Sequence, residues 1–170
     1  LAARDKHVEL CTLLEEHAAR LAQRGESARA AKLWERAAEV AELQLRALER
    51  AIIAREKGLA LQEDRASRET LVRLLEQRGH WARAAKSLEI LRTDALADEA
   101  DAITVRLVDA LARSGDVARA QALLESSARS APPGSPLPAR LAVFYREADL
   151  PGPLAVLLTE TAGATEDPAE

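Results

Sequence analysis

The chain has 170 residues and a formal charge of -4, and its 37 alanines and 27 leucines make up more than a third of it. Aromatic residues are only 2% against 48% apolar overall, which excludes a sandwich or barrel core of β-branched and aromatic side chains and leaves an all-α chain. No apolar run approaches the ~18 residues of a membrane span, and a lone Cys11 excludes an internal disulfide framework.

Charge is unevenly shared. Residues 1–85 carry 16 Lys/Arg against 14 Asp/Glu, and residues 86–170 carry 8 against 14. Neither half offers the basic face with aromatic platforms that a nucleic-acid interface needs, so no nucleic-acid partner is expected. With 20 Arg to 4 Lys and the alanine excess, the composition is that of a GC-rich bacterial genome, and a cytoplasmic location is expected. No initiator Met precedes Leu1, and the chain reads as part of a longer protein.

Taken in order, the chain shows a recurring helical hairpin. Leu14, Ala18 and Leu21 line one face of a first helix that ends at Gly25, and Ala30 and Trp34 begin the buried face of a second. The segment LAQRGESARAAKLWERA (21–37) returns as LEQRGHWARAAKSLEIL (75–91) and LARSGDVARAQALLESS (111–127). A weaker copy is YREADLPGPLAVLLTET (145–161), with Asp149 in place of Gly25, Gly79 and Gly115. Each glycine suits a left-handed helix C-terminus. Ala30, Ala84 and Ala120 are small enough for close helix approach, and Leu154 departs from them.

From Ala28 to Lys57 there is neither Gly nor Pro, while Trp34, Ala38, Ala41, Leu45, Leu48 and Ile52 recur at steps of four and three. This predicts one helix of about 30 residues, about 45 Å long at 1.5 Å per residue, stopping near Gly58. The alternative is a break around Arg46 that makes an extra hairpin. Its second apolar line, Leu33, Val40, Leu43 and Ile53, leaves open a seam for a partner helix or a second copy. Further along, Pro132 to Pro138 reads as a non-helical connector, and the tail from Gly163 as frayed.

The hairpins resemble the tetratricopeptide repeat family, whose unit of about 34 residues is two antiparallel helices. The matching units are about 11–44, 65–98, 101–134 and 135–168, with 45–64 as extended helix and linker in a single domain. That resemblance implies a right-handed α-solenoid whose groove, lined by first helices, binds a peptide or protein partner. The implied groove residues are Glu15, Ala19 and Gln23, then Glu69, Arg73 and Gln77, then Val105, Asp109 and Arg113, then Val143 and Glu147. The family's terminal-carboxylate clamp needs Asn, and the chain has none.

Other chemistry finds little footing. His7, Cys11 and Glu15 share a helix face at metal-compatible spacing, with only His17 near, and the plainer reading is a buried thiol among surface residues. No G-x-S-x-G setting surrounds Ser135, and the glycines are scattered singly, so neither a nucleophile nor a phosphate cradle is expected. The expectation is a non-enzymatic scaffold without cofactor or metal. Its rival is an oligomerising spacer that uses the Trp34 to Ile52 seam.

Overall fold

The recurring Leu-x-x-x-Gly is a helix stop, and its hydrogen bonds show why the leucine belongs to it. In the computed structural model, which describes residues 2–149, 152–157 and 159, the amide after each glycine donates back to the carbonyl of that leucine. The bonds are Glu26 N to Leu21 O at 3.0 Å, His80 N to Leu75 O at 2.8 Å and Asp116 N to Leu111 O at 2.9 Å. Gly25, Gly79 and Gly115 have φ of 78°, 73° and 92°, and Asp149 adopts the same region at 53°. A Cβ is disfavoured there, so glycine is the low-strain choice.

All described secondary structure is helical. The helices are α1 (Ala2–Gln23), α2 (Ser27–Glu39), α3 (Leu48–Leu61), α4 (Arg65–Gln77), α5 (Trp81–Thr93), α6 (Ala97–Arg113), α7 (Val117–Arg129) and α8 (Leu137–Glu147). A π-helical turn, Val40–Gln44, extends α2. Residues 152–157 are also helical, whereas Leu158 and the tail from Gly163 lie outside the described residues. Among the described residues, no helix is long and apolar enough to cross a membrane.

The chain forms two compact units, 1–93 and 94–170. In the first, each helix packs on its neighbours, and α2 is covered by α1 on one side and α3 on the other. The crossing alanines Ala30 and Ala84 are fully buried, with Trp34 and Leu88 behind them. In the second unit, α6 packs on α7 and α7 on α8, around Leu107, Val108, Leu111, Ala120, Leu124, Leu141, Phe144 and Tyr145.

The single long helix predicted over 28–57 does not form. The break at Arg46 does, and it makes α3 an additional helix. Leu45 N bonds Val40 O at 3.1 Å and Ala47 N bonds Ala41 O at 2.8 Å, so the last turn of α2 widens before the chain reverses. Arg46 takes φ 53° at the reversal, a left-handed position without the usual glycine. Gly58 is likewise no helix stop. It lies inside α3, where an added Cβ would stand 3.3 Å from the Cβ of Trp34 and 3.5 Å from the Ala31 carbonyl. Glycine is there because α2 and α3 approach so closely, and Lys57 covers the same ring with Nζ 4.6 Å from its centroid.

The proline stretch also departs from expectation at its end, since α8 begins at Leu137 and holds Pro138 in its first turn. A first-turn residue has no intrahelical use for its N–H, so proline fits. Ser135 Oγ accepts the Leu137 amide at 3.2 Å.

Two substitutions test this account. Arg46→Gly relieves the left-handed strain and raises unfolding free energy by about 1 kcal/mol in urea denaturation, whereas Arg46→Val lowers it. Gly58→Val overpacks the α2–α3 contact and costs about 1–3 kcal/mol by the same measurement.

Candidate functional site

Long charged side chains reach past the adjacent helix and join alternate ones. Arg50 of α3 grips Glu15 of α1 with both forks, Nε to Oε1 at 2.7 Å and Nη2 to Oε2 at 2.9 Å, and also donates to Thr12 Oγ1 at 2.9 Å. Arg83 of α5 donates to Glu56 of α3, with Nη2 to Oε1 at 2.7 Å. Glu49, at the start of α3, accepts from Arg78 at 2.9 Å and lies 3.0 Å from His80 Nε2. On the other side, Ser67 of α4 donates to Glu35 of α2 at 2.7 Å, and Arg73 of α4 pairs with Glu42 of the π turn. Within the first unit, α1, α3 and α5 therefore form one row, and α2 and α4 the other.

This pairing changes the expected surface. The repeat alignment puts α1 and α4 in equivalent positions, but the additional helix moves α4 into the row of α2. Glu15 and Gln23 accordingly do not share a row with Glu69, Arg73 and Gln77. Gln23 and Gln77 are exposed at the ends of their helices, and Glu69 pairs with Arg65 at 3.3 Å on its own helix. In the second unit, α6 and α8 are brought together: Arg140 donates to Asp109 at 2.6 Å and reaches Glu147 at 3.5 Å. Arg113 is exposed at the end of α6.

Arg55 was missed in the sequence because it occupies a helix face otherwise apolar. Its side chain is 6% exposed, paired with Glu35 and, at 3.4 Å, with Glu42. Glu35 thereby joins Arg55 and Ser67, while Glu42 joins Arg55 and Arg73. Among the described residues, the Arg55 Nε has no partner.

Cys11 is fully buried, with Sγ 3.5 Å from the Ala37 carbonyl and 3.6 Å from Glu15 Oε1. Burial, reinforced by the Glu15 charge, pushes its pKa up despite Arg50, so the thiol is held protonated. Burial also opposes ionisation of Glu15, but the Arg50 hydrogen bonds and charge outweigh it and its pKa is lowered. In the second unit, hydrogen bonds from Gln121 and Tyr145 lower that of Glu125. Among the described residues, no group of three His, Cys, Asp or Glu is placed to hold a metal ion.

The seam that the rival reading left open for a second copy is consumed internally. Trp34, Ala38, Ala41, Leu45 and Ile52 are all core residues, and so is Val40 of the second line. Leu43 and Ile53 alone of that line stay well exposed, at 68% and 49%.

Two of the clefts among the described residues lie between alternate helices. One, of about 360 Å³, separates α2 from α4 above Gly58 and Leu59 of α3 and is lined by Lys32, Glu35, Asp64 and Ser67. The other, of about 390 Å³, separates α3 from α5 above Arg68 and Leu71 of α4. No family model matches the chain, and the comparison with curated proteins finds no match.

Removing the bidentate partner of Glu15 gives a pH-dependent outcome. A carboxylate whose pKa is lowered by folding contributes stability above its unfolded pKa of about 4.3, and loses it as pH falls through the folded value. Arg50→Ala should therefore cost about 1–2 kcal/mol at pH 7. The gap from wild type should close in acid when urea midpoints are followed down the pH scale.

Proposed function

We propose that this chain is a helical-repeat interaction module of the tetratricopeptide type, a right-handed α-solenoid that holds a segment of a protein partner between alternate helices. The observation that supports it is the α3–α5 cleft, walled by two parallel helices and floored by the one between them. Stacked hairpins leave such channels because each turn of the repeat buries its apolar face on a neighbour and leaves polar side chains along the gap. An extended or helical segment laid in the channel meets Leu59 on the α3 wall, Leu71 at the floor and charged groups at the rim. Binding, rather than catalysis, suits side chains already tied in pairs such as Arg83 with Glu56 and Arg50 with Glu15.

The additional helix changes which residues serve. On this reading the partner face of the first unit lies along α1, α3 and α5, so Glu15 belongs to it and Arg73 does not. Asp109, Arg113 and Glu147 would serve an equivalent face of the second unit, on α6 and α8.

A photo-crosslinking amino acid placed at Ala60, which is exposed and lines the cleft, tests the reading against the same group at exposed Arg36 on α2. Irradiation in host extract should give one discrete adduct from position 60 and not from 36, and the purified partner should re-form it. Equal labelling from both positions, or none from 60, overturns the proposal.

A further inference from the structure

The two clefts differ in charge and in how far their polar atoms are already used. The α2–α4 cleft sets Lys32 against Glu35 and Asp64. Its hydroxyls and carboxylates are engaged: Ser67 donates to Glu35, Asp64 accepts the Ser67 amide, and Thr70 donates to the Ala66 carbonyl. The α3–α5 cleft instead sets Arg68, Arg83 and Lys86 against Glu56 alone. Counting Glu63, which pairs with Arg68, the balance is still one positive charge.

Two groups in that second cleft are unused. A hydroxyl on a helix commonly bonds the carbonyl four residues back, as Thr70 and Thr104 do here. Ser87 is 94% buried by its 6% exposure, yet its hydroxyl has no partner among the described residues. It is not sealed like the Arg55 Nε, and it borders the cleft. Lys86, exposed beside it, likewise has none. Arg83, Lys86 and Ser87 stand at i, i+3 and i+4 and so share one face of α5.

We infer that this cleft is a subsite for a carboxylate side chain of the partner, an Asp or Glu in the bound segment. This rests on the reading of the unit as a partner-binding module. The incoming carboxylate accepts from Ser87 Oγ and Lys86 Nζ and takes Arg83 over from Glu56. That exchange costs little, because the Arg83–Glu56 pair is 40% and 39% exposed and exposed pairs are weak. Arg68, held by Glu63, adds positive potential from the floor, and Leu59 and Leu71 receive the aliphatic stem. Charge complementarity thus selects an acidic over a basic segment at this position, although the chain as a whole is acidic.

The probe is a short capped peptide of alternating Glu and Leu, titrated into the full isotope-labelled chain and followed by amide chemical shifts. Saturable shifts should cluster at residues 56–60, 68–71 and 83–87. The matching Gln–Leu peptide should bind at least tenfold more weakly, as should the acidic peptide to Lys86→Glu, and Ser87→Ala should weaken it severalfold. Both variants keep the apolar core, and unchanged circular dichroism verifies the fold. Equal binding of the Gln peptide, shifts scattered over other arginines, or wild-type affinity in both variants overturns the inference. So does inorganic phosphate binding more tightly than the acidic peptide at matched ionic strength, since a phosphorylated side chain would then be the better ligand. The two readings fail separately. An Ala60 adduct without Glu-over-Gln preference removes the subsite and leaves the module, whereas site-specific acidic binding without an adduct does the reverse.

Discussion

A helix that is apolar along two lines has to be covered twice, and α2 meets that condition. One side takes α1, whose Cys11 reaches the Ala37 carbonyl. The other takes α3, which comes so near that Gly58 faces the Trp34 Cβ without room for one of its own. The rest of the first unit follows in sequence. Once α3 is seated, its remaining apolar surface needs α4, and α4 in turn needs α5. Exclusion of water from successive faces is the driving force, and small residues at the crossings set how tightly it acts.

The polar groups carry a different role. Burying Arg55 among α2, α3 and α4 costs desolvation that its pairs with Glu35 and Glu42 offset only in part, and Nε is left unsatisfied. What the arrangement supplies is discrimination, because only one rotation of α3 about its axis brings a guanidinium to both carboxylates and to Ser67. Apolar contacts between alanine-rich helices tolerate sliding, whereas a two-sided charge contact does not. The exposed pairs between alternate helices, such as Glu49 with Arg78, are screened and add less.

Much of this was legible in the sequence, for identifiable reasons. Leu21, Leu75 and Leu111 with Gly25, Gly79 and Gly115 encode a helix stop locally, so their recurrence revealed the hairpins, and Asp149 was a readable substitute. The reversal at Arg46 was legible only as an alternative to one long helix, because left-handed backbone at a non-glycine residue is enforced by tertiary packing of α2 on α3 rather than by any local signal. Gly58 had the converse problem: as a residue type it suggested an end, while its structural cause is a neighbour 24 positions earlier. The candidate surface suffered most. Repeat alignment compares helices by their own sequences, but the face a helix presents depends on how many helices precede it in the stack. One helix left out of the repeat alignment was enough to separate Glu15 from Arg73.

That additional helix also alters the path of the backbone. A hairpin is a pair of antiparallel helices, so a unit of whole hairpins returns the chain to the rim where it began. Five helices do not: α1, α3 and α5 run the same way, and Ala2 and Thr93 lie at opposite rims of the first unit. A single inserted helix of 14 residues thus acts as a crossover in the wiring of the molecule, carrying the backbone to the far side while leaving every local packing rule intact.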